Sequence, residues 1–266
     1  MTFAEHHSKV VQKAGNVDPR SIWIKTFIVS VIMFAFFSFY YALQGFRYDL
    51  FAINVLLGIS GMFLIGMSFA LSGLTYFWNF VDTKLIYRKQ LGLTGFYMVL
   101  VHAAFSFTNY FFIASSPKPE FIIDYIWRIG GLEISNWIAF FAAVLALAIF
   151  TFMALISNKY AMMEIGGMRW RSFLRIGYVA YLLIVIHFGL KRFFEWDAWI
   201  SGYLGLLPPL SLVLLVFVIF VFVMRIALFI SLERKKKKPS ITPETSQVTT
   251  PIQSAAVAEH NADSKS

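Results

Sequence analysis

Two histidines, His102 and His187, stand inside long apolar segments of the chain. An ionisable side chain is costly inside a bilayer, so it normally faces a partner or a cavity. A neutral imidazole can donate a hydrogen bond from one nitrogen and bind a transition metal through the other. Each of these histidines therefore has two possible roles: a hydrogen bond between helices, or ligation of a metal.

The remaining residues limit the possible chemistry. The other three histidines, His6, His7 and His260, lie in the polar ends of the chain, where we expect them to be solvated. The sequence contains no cysteine, which excludes disulfides, thiolate zinc sites, iron–sulfur clusters and dithiol redox relays. Any redox chemistry must therefore use a bound cofactor.

The composition is typical of a membrane protein. Of the 266 residues, 59% are hydrophobic and 14% are charged, whereas about a quarter of the residues in soluble domains are charged. The net charge of +9 would suggest nucleic-acid binding in a soluble chain. Here most Lys and Arg residues flank apolar segments, as membrane topology favours. The expected surrounding is a lipid bilayer, and no nucleic-acid partner is expected.

Six apolar segments each approach or exceed the roughly 20 residues needed to cross a bilayer. The sequence therefore predicts an all-α polytopic membrane protein whose six-helix transmembrane domain covers residues 22–232. A polar N-terminal segment, 1–21, and a basic, disordered tail, 233–266, flank this domain. The first apolar segment is too long for the core of a cleaved signal peptide and is expected to be retained. The predicted spans are residues 22–43, 51–77, 91–113, 137–156, 172–191 and 203–232.

The distribution of positive charge predicts the orientation of the chain. Most Lys and Arg residues fall in the two ends and in the loops 78–90 and 157–171, whereas the other loops contain fewer of them, diluted by acidic residues. The positive-inside rule then places both termini in the cytoplasm and the protein in the plasma (inner) membrane. The third and fifth spans consequently run in the same direction, from inside to outside.

The two membrane histidines are predicted to lie at similar depth. His102 follows Lys89 by 13 residues and His187 follows Arg171 by 16 residues, which corresponds to about 20 and 24 Å of helix. Two imidazoles at similar depth on neighbouring parallel helices can bind one iron from both sides, as in an electron-carrying b-type haem. A pair of interhelical hydrogen bonds remains the alternative.

Four glycines lie near the two histidines in the sequence. They can leave room for a macrocycle, or they can simply let membrane helices pack closely, and the sequence leaves both explanations open. These residues are Gly92, Gly95, Gly177 and Gly189.

A distinct pattern of residues precedes each histidine. His102 follows the sequence RKQLGL of residues 88–93, and His187 follows WRSFLRIGY of residues 170–178. Both patterns resemble the ferric-reductase-like transmembrane domain family, over roughly residues 50–200. That family includes the haem-binding membrane subunit of the bacterial methionine sulfoxide reductase system, NADPH oxidases, ferric reductases and six-transmembrane metalloreductases. The resemblance implies a membrane cytochrome b that acts as an oxidoreductase component.

The chain departs from this family at two positions. Two-haem members have a second, inner histidine pair, and the corresponding residues here are Arg88 and Leu174. Neither side chain is an ordinary haem ligand, so the resemblance implies a single haem near the outer face, as in the six-transmembrane metalloreductases. The methionine sulfoxide reductase subunit normally has a histidine at the position of Leu174, so methionine sulfoxide repair receives little support.

The resemblance also suggests a flavin, FMN or FAD, at the inner face. No glycine-rich dinucleotide fingerprint is present, because Gly166 and Gly167 follow no strand and have no third glycine. Guanidinium groups suit a phosphate and an indole can stack on a flavin ring, but basic and aromatic residues also mark an ordinary cytoplasmic membrane interface, the explanation that we favour. The candidate residues are Arg88, Lys89, Lys159, Arg169, Trp170, Arg171 and Arg175.

On the outer side, the segment 114–136 is long enough to cover the edge of a haem. Carboxylates there can gather ferric or cupric ions, and an arginine can meet a haem propionate. Ordinary solvation of a loop explains these residues equally well, so the electron acceptor stays open. The candidates are Glu120, Asp124 and Arg128.

Three functions are compatible with these features. The first is transmembrane electron transfer through one haem, from a cytoplasmic donor (a flavin or an NAD(P)H reductase) to a metal ion, oxygen or a partner protein outside. The second is a haem-linked quinone oxidoreductase that draws on the membrane quinone pool. The third is a non-redox scaffold or transporter whose histidines only form hydrogen bonds, although the unpaired carboxylates or broken helices typical of transporters are not evident.

Overall fold

The structure of the protein, a computed structural model, describes residues 18–108, 127–129, 132–134, 136–202 and 207–237. It contains six helices that are long and apolar enough to cross a membrane, which confirms the predicted all-α polytopic bundle. The exception to the helical structure is a short antiparallel hairpin in which Arg128 of one strand lies opposite Glu133 of the other. The elements are α1 (Pro19–Leu43), α2 (Leu50–Phe77), a 3-10 helix (Asn79–Tyr87), α3 (Arg88–Thr108), β1 (Trp127–Ile129), β2 (Leu132–Ile134), α4 (Asn136–Ile156), α5 (Lys159–Ile165), α6 (Gly167–Arg175), α7 (Gly177–Ile200) and α8 (Leu210–Lys237).

The chain divides into two compact units, residues 1–229 and 230–266. The second unit contributes only the end of α8 to the described residues. This helix continues through Lys237, past the predicted start of a disordered tail at residue 233. It begins at Leu210, after two prolines, and not at residue 203 as predicted.

Polar side chains fix the starts of several helices. The Asp18 carboxylate accepts a hydrogen bond from the main-chain N–H of Arg20, and the carboxylate of Asp49 accepts one from that of Ala52 at 2.7 Å. Such caps satisfy main-chain donors that have no partner within the helix. At the end of α5, Gly166 adopts a φ of +84°, which a residue with a side chain rarely does. The turn between α5 and α6 therefore depends on this glycine.

The helices of the first unit pack mainly as two pairs, α2 with α3 and α4 with α7. In the first pair the main chains cross closely, because a Cβ atom at Gly95 would lie 2.6 Å from the carbonyl oxygen of Gly61. A Cβ at Gly177 would similarly lie 2.6 Å from Met153, and one at Gly92 would lie 3.1 Å from Ser68. Close helix packing is therefore what three of the four glycines near the histidines provide.

The core of the bundle draws side chains from five helices, α2, α3, α4, α7 and α8. Tyr181 of α7 is its largest fully buried side chain, and its hydroxyl donates a hydrogen bond to the carbonyl of Met62 at 3.3 Å. Helix α1 lies at the edge, and most of its large apolar side chains are exposed, as expected for a helix that faces lipid. Its end is tied to the residues before α8, because Tyr40 and Gln44 both donate to the carbonyl of Pro208, at 2.9 and 2.7 Å.

Candidate functional site

His102 lies 14 residues after the start of α3 and contacts the main chain of α2. Its Nδ1 atom is 2.8 Å from the carbonyl oxygen of Asn54. Because a carbonyl oxygen can only accept, this contact requires the proton to be on Nδ1. In the neutral imidazole, Nε2 then carries the free lone pair.

His187 of α7 makes the same contact with its own neighbouring helix. Its Nδ1 atom is 2.9 Å from the carbonyl oxygen of Ala139 in α4. In both cases the histidine follows its carbonyl partner by 48 residues. Each helix pair thus holds one imidazole by the same atom, and neither Nε2 makes a hydrogen bond within the described part of the chain.

Both histidines lie on faces of their helices that are buried in the bundle. Val99, one turn before His102, is buried, as is Ile184, one turn before His187. Residues three positions apart share a helix face. The two imidazoles also interact electrostatically with each other. Each imidazole thus lies on a partly buried helix face, and the approach of the two rings to a shared iron stays a prediction.

The two helices that bear the histidines belong to different pairs. Helix α3 packs on α2 and helix α7 packs on α4, whereas α3 and α7 are not packed closely against each other. Within the pair α2/α3, Gly58 of α2 underlies the imidazole of His102, and a Cβ there would lie 3.1 Å from Nδ1. The absence of a side chain at Gly58 lets the ring lie against the helix.

Lys191 lies one turn after His187 in α7 and was not identified as a site residue from the sequence. It follows His187 by four residues, and it interacts electrostatically with both imidazoles. The next residue, Arg192, is ion-paired with Glu195. The spacing of four residues, which places two side chains on one helix face, was the signal that would have identified Lys191.

Two imidazole nitrogens are the protein ligands that a bis-histidine haem would need, and haem binding by His102 and His187 stays a prediction. Within the described ranges, no three or more His, Asp or Glu side chains come together as ligands for a bare metal ion. A six-coordinate haem needs only two protein nitrogens, one on each side of the iron. His102 and His187 would hold the iron, and the ammonium group of Lys191 suits the carboxylate of a propionate.

Aromatic side chains occupy the core on the side of the histidines nearer the starts of α3 and α7. The rings of Phe69 and Tyr178 are stacked at 4.7 Å, and Phe69 meets Tyr181 edge to face at 5.6 Å. Arg88 begins α3 and Leu174 lies in the last turn of α6; the family resemblance aligns these two residues with the second histidine pair of two-haem proteins.

The structure describes contacts or exposure for most of the inner-face flavin candidates, and the flavin site itself stays a prediction. Trp170 is held by a structural contact, since its Nε1–H donates to the carbonyl of Ile156 at 2.8 Å. The Lys159 ammonium lies 5.1 Å from the ring of its neighbour Tyr160. The side chain of Arg171 lies outside the described residues. The side chains of Lys89, Lys159, Arg169 and Arg175 are exposed.

Arg88 instead interacts with residues of α7 and α8. Its electrostatic partners are Tyr178 and Arg225. Arg225 was not identified from the sequence, although it is the one charged residue between Leu210 and Leu232, and a charge within an apolar span is itself a signal of function.

The outer-face candidates are only partly described. Arg128 lies in β1, of which only the main chain is described, and its side-chain role stays a prediction. Glu120 and Asp124 lie outside the described residues.

The candidate site thus consists of two imidazoles whose Nδ1 atoms are held by main-chain carbonyls on two different helix pairs, with Lys191 one turn after His187. Such an arrangement is suited to hold a group that needs one nitrogen ligand from each side. No protein-family model and no curated protein matches the chain, so the site is interpreted from its geometry.

Proposed function

We propose that this chain is a membrane cytochrome b that transfers single electrons through one haem bound between His102 and His187. The observation that carries the proposal is that both imidazoles form the same hydrogen bond, from Nδ1 to a main-chain carbonyl. Each donates its Nδ1–H to a main-chain carbonyl, of Asn54 or of Ala139, and keeps its Nε2 lone pair free. Histidines that bind metals commonly have this second hydrogen bond, which fixes the tautomer and orients the ring.

The non-redox alternative explains only half of this arrangement. A histidine that only joins two helices needs one hydrogen bond, and the Nδ1 contacts satisfy that requirement. It leaves the two Nε2 atoms without a role at a place where a polar atom in an apolar span normally has a partner.

The proposed mechanism assigns a simple role to each residue. When bound, the haem supplies a reversible one-electron couple with no open coordination position. The carbonyls of Asn54 and Ala139 orient the imidazoles and increase their basicity. Lys191 contributes a positive charge beside the site, which favours the reduced state.

A single haem is proposed because the second pair of ligands is missing. Arg88 and Leu174 stand where two-haem members of the ferric-reductase-like family have histidines. The stacked and edge-to-face rings of Phe69, Tyr178 and Tyr181 support this stoichiometry, since they fill core space on that side of His102 and His187.

The direction of electron flow follows from the proposed orientation. With both termini in the cytoplasm, the histidines lie nearer the outer face of a plasma (inner) membrane. We propose that electrons enter from a cytoplasmic flavin or NAD(P)H reductase, with membrane quinol as the alternative donor. They would leave to a metal ion, oxygen or a partner protein outside.

Spectroscopy of the purified full-length chain tests this proposal. We expect about one haem per chain and a six-coordinate, low-spin b-type spectrum. His102→Ala and His187→Ala should each abolish or grossly alter that spectrum, because no other histidine lies in a predicted span. His260→Ala, in the polar C-terminal segment, is the matched control and should leave the spectrum unchanged.

Two results would contradict the proposal. One is a wild-type protein that, supplied with haemin during expression, contains no haem or two haems per chain. The other is a normal spectrum in the double variant His102→Ala/His187→Ala. Circular dichroism and gel filtration should accompany each variant, so that loss of haem is distinguished from loss of fold.

A further inference from the structure

One guanidinium lies over a tyrosine ring, and a second arginine interacts electrostatically with both, at a distance from the histidines. The Cζ atom of Arg225 in α8 lies 5.1 Å from the ring centroid of Tyr178 in α7. Arg88, the first residue of α3, interacts electrostatically with both Tyr178 and Arg225. Residues from three helices thus meet at one place in the bundle.

The partners of these residues hold them in position. The carbonyl of Arg88 accepts a hydrogen bond from Ser68 of α2 at 2.7 Å. Met224, the residue before Arg225, is buried. Its main chain lies close to α2, because a Cβ atom added at Gly73 would lie 3.4 Å from the carbonyl oxygen of Met224. The ring of Tyr178 in α7 is stacked on the ring of Phe69 in α2, with 4.7 Å between the ring centroids. Helix α2 therefore supports all three residues.

The positive charge at this place is not neutralised by the protein. In the ranges that the structure describes, neither Arg88 nor Arg225 forms an ion pair with a carboxylate. Two like charges repel, and a charge within a membrane span is costly unless it is paired. A cation–π contact with Tyr178 stabilises one guanidinium, but it contributes no negative charge.

We propose that Arg88, Arg225 and Tyr178 form a binding site for the phosphate group of a ligand. A guanidinium presents a planar fork of donors that matches phosphate oxygens, and it stays charged in every relevant environment. The phenol of Tyr178 offers a third donor. Two cations without a carboxylate match a phosphate, which carries one or two negative charges. The site does not depend on the presence of a haem at His102 and His187.

A haem propionate is not the occupant. His102 lies 14 residues after Arg88 in the same helix, which corresponds to about 21 Å. This separation is too long for a propionate of a haem that is bound at His102. The phosphate belongs instead to a second molecule, either an anionic phospholipid in the surrounding bilayer or a nucleotide such as FMN from the aqueous phase.

Binding measurements on the full-length chain in detergent test the site. The probes are phosphatidylglycerol, FMN and, as a zwitterionic comparison, phosphatidylcholine. We expect the wild type to bind phosphatidylglycerol or FMN at one site per chain and to prefer it over phosphatidylcholine. Arg88→Gln and Arg225→Gln should each weaken that binding about tenfold, the effect of losing one charge-assisted contact. Arg234→Gln, an exposed arginine in the same helix as Arg225, should have no effect.

The outcomes separate the two sources of phosphate. Binding of phosphatidylglycerol alone identifies a lipid site, binding of FMN alone identifies a nucleotide site, and binding of both at the same residues supports a general phosphate site. Equal binding of phosphatidylcholine, or unchanged binding in both glutamine variants, overturns the proposal. If the glutamine variants do not fold, Arg225→Lys and Tyr178→Phe serve instead. Both should weaken binding, and unchanged affinity in both overturns the proposal.

Discussion

The side chains of His102 and His187 are oriented by main-chain atoms and not by other side chains. Each Nδ1–H is held by a carbonyl of a neighbouring helix, so the tautomer and the ring orientation do not depend on which residue supplies that carbonyl. Asn54 in addition donates from its side chain to the hydroxyl of Ser106 at 2.8 Å, which links α2 and α3 one turn beyond His102. A substitution at Ala139 or Asn54 therefore alters packing more than it alters the imidazole contact.

At this scale, Lys191 gives a measurable prediction that rests on the proposed haem. Lys191→Gln removes a positive charge beside both imidazoles, which makes the ferric state more favourable. The midpoint potential of the haem should fall by roughly 10–40 mV, the one-electron equivalent of about 0.2–1 kcal/mol for a partly solvated charge. Redox titration of the purified protein measures the change. Lys84→Gln makes the same change of charge at an exposed position in the 3-10 helix and should leave the potential unchanged. Equal shifts in both variants would contradict the assignment of Lys191.

Each helix pair contains one histidine together with the carbonyl that orients it. His102 and Asn54 belong to the pair α2/α3, and His187 and Ala139 belong to the pair α4/α7. The orientation of each imidazole is therefore determined within one pair. The separation of the two Nε2 atoms depends on how the pairs pack together, which involves the core contributed by α2, α3, α4, α7 and α8.

The crossing of α2 and α3 is the element-scale feature that a single substitution tests. Gly95→Ala places a methyl group 2.6 Å from the carbonyl of Gly61, so the two main chains must move apart. Overpacking of this kind costs about 1–3 kcal/mol, more than the roughly 1 kcal/mol by which alanine is favoured over glycine in a helix. Thermal unfolding in detergent should show a less stable protein. Gly189→Ala is the matched control, since its methyl group would lie 3.7 Å from Trp196 and should be neutral or stabilising. A Gly95→Ala protein as stable as the wild type would show that the helices are not in this close contact.

At the scale of the molecule, the described part of the chain contains six candidate spans, an even number, so the start of the first and the end of the last lie on the same side of the membrane if all six cross it. Within the first unit, the histidines and the arginine cluster of Arg88 and Arg225 are separated along the helices. His102 lies about 21 Å along α3 from Arg88. The two proposed sites, one for haem and one for phosphate, therefore lie at different depths along the helices.

The orientation of the molecule is tested by reporters at both ends. Fusions that fluoresce only in the cytoplasm should be active at the N-terminus and at the C-terminus, because the basic residues cluster at those ends and in the loops 78–90 and 157–171. A reporter inserted at residue 45, between α1 and α2, should behave oppositely and indicate the outer side. A C-terminus found outside would reverse the proposed direction of electron flow, and with an internal N-terminus it would also contradict the six-span topology.

Local features of the sequence were sufficient to predict the number of spans, their approximate positions and the two histidines worth attention. Hydropathy, charge and the cost of an imidazole in an apolar segment are properties of short stretches of chain, so they can be assessed without the fold. The ends of spans were predicted less well. Helix α3 begins at Arg88 and not at residue 91, since the helical main chain continues from the preceding 3-10 helix.

The contacts between helices were decided only by the tertiary structure. A carbonyl such as that of Ala139 has no signature in the sequence, because every residue has one, and only the rotation and depth of α4 relative to α7 bring it to His187. The meeting of Arg88, Tyr178 and Arg225 has the same origin, since these residues are remote in sequence and lie on three different helices. The sequence by itself determined which polar groups enter the membrane. Helix packing decided which of them meet, because the distance between two side chains on different helices depends on the placement of every residue between the helices.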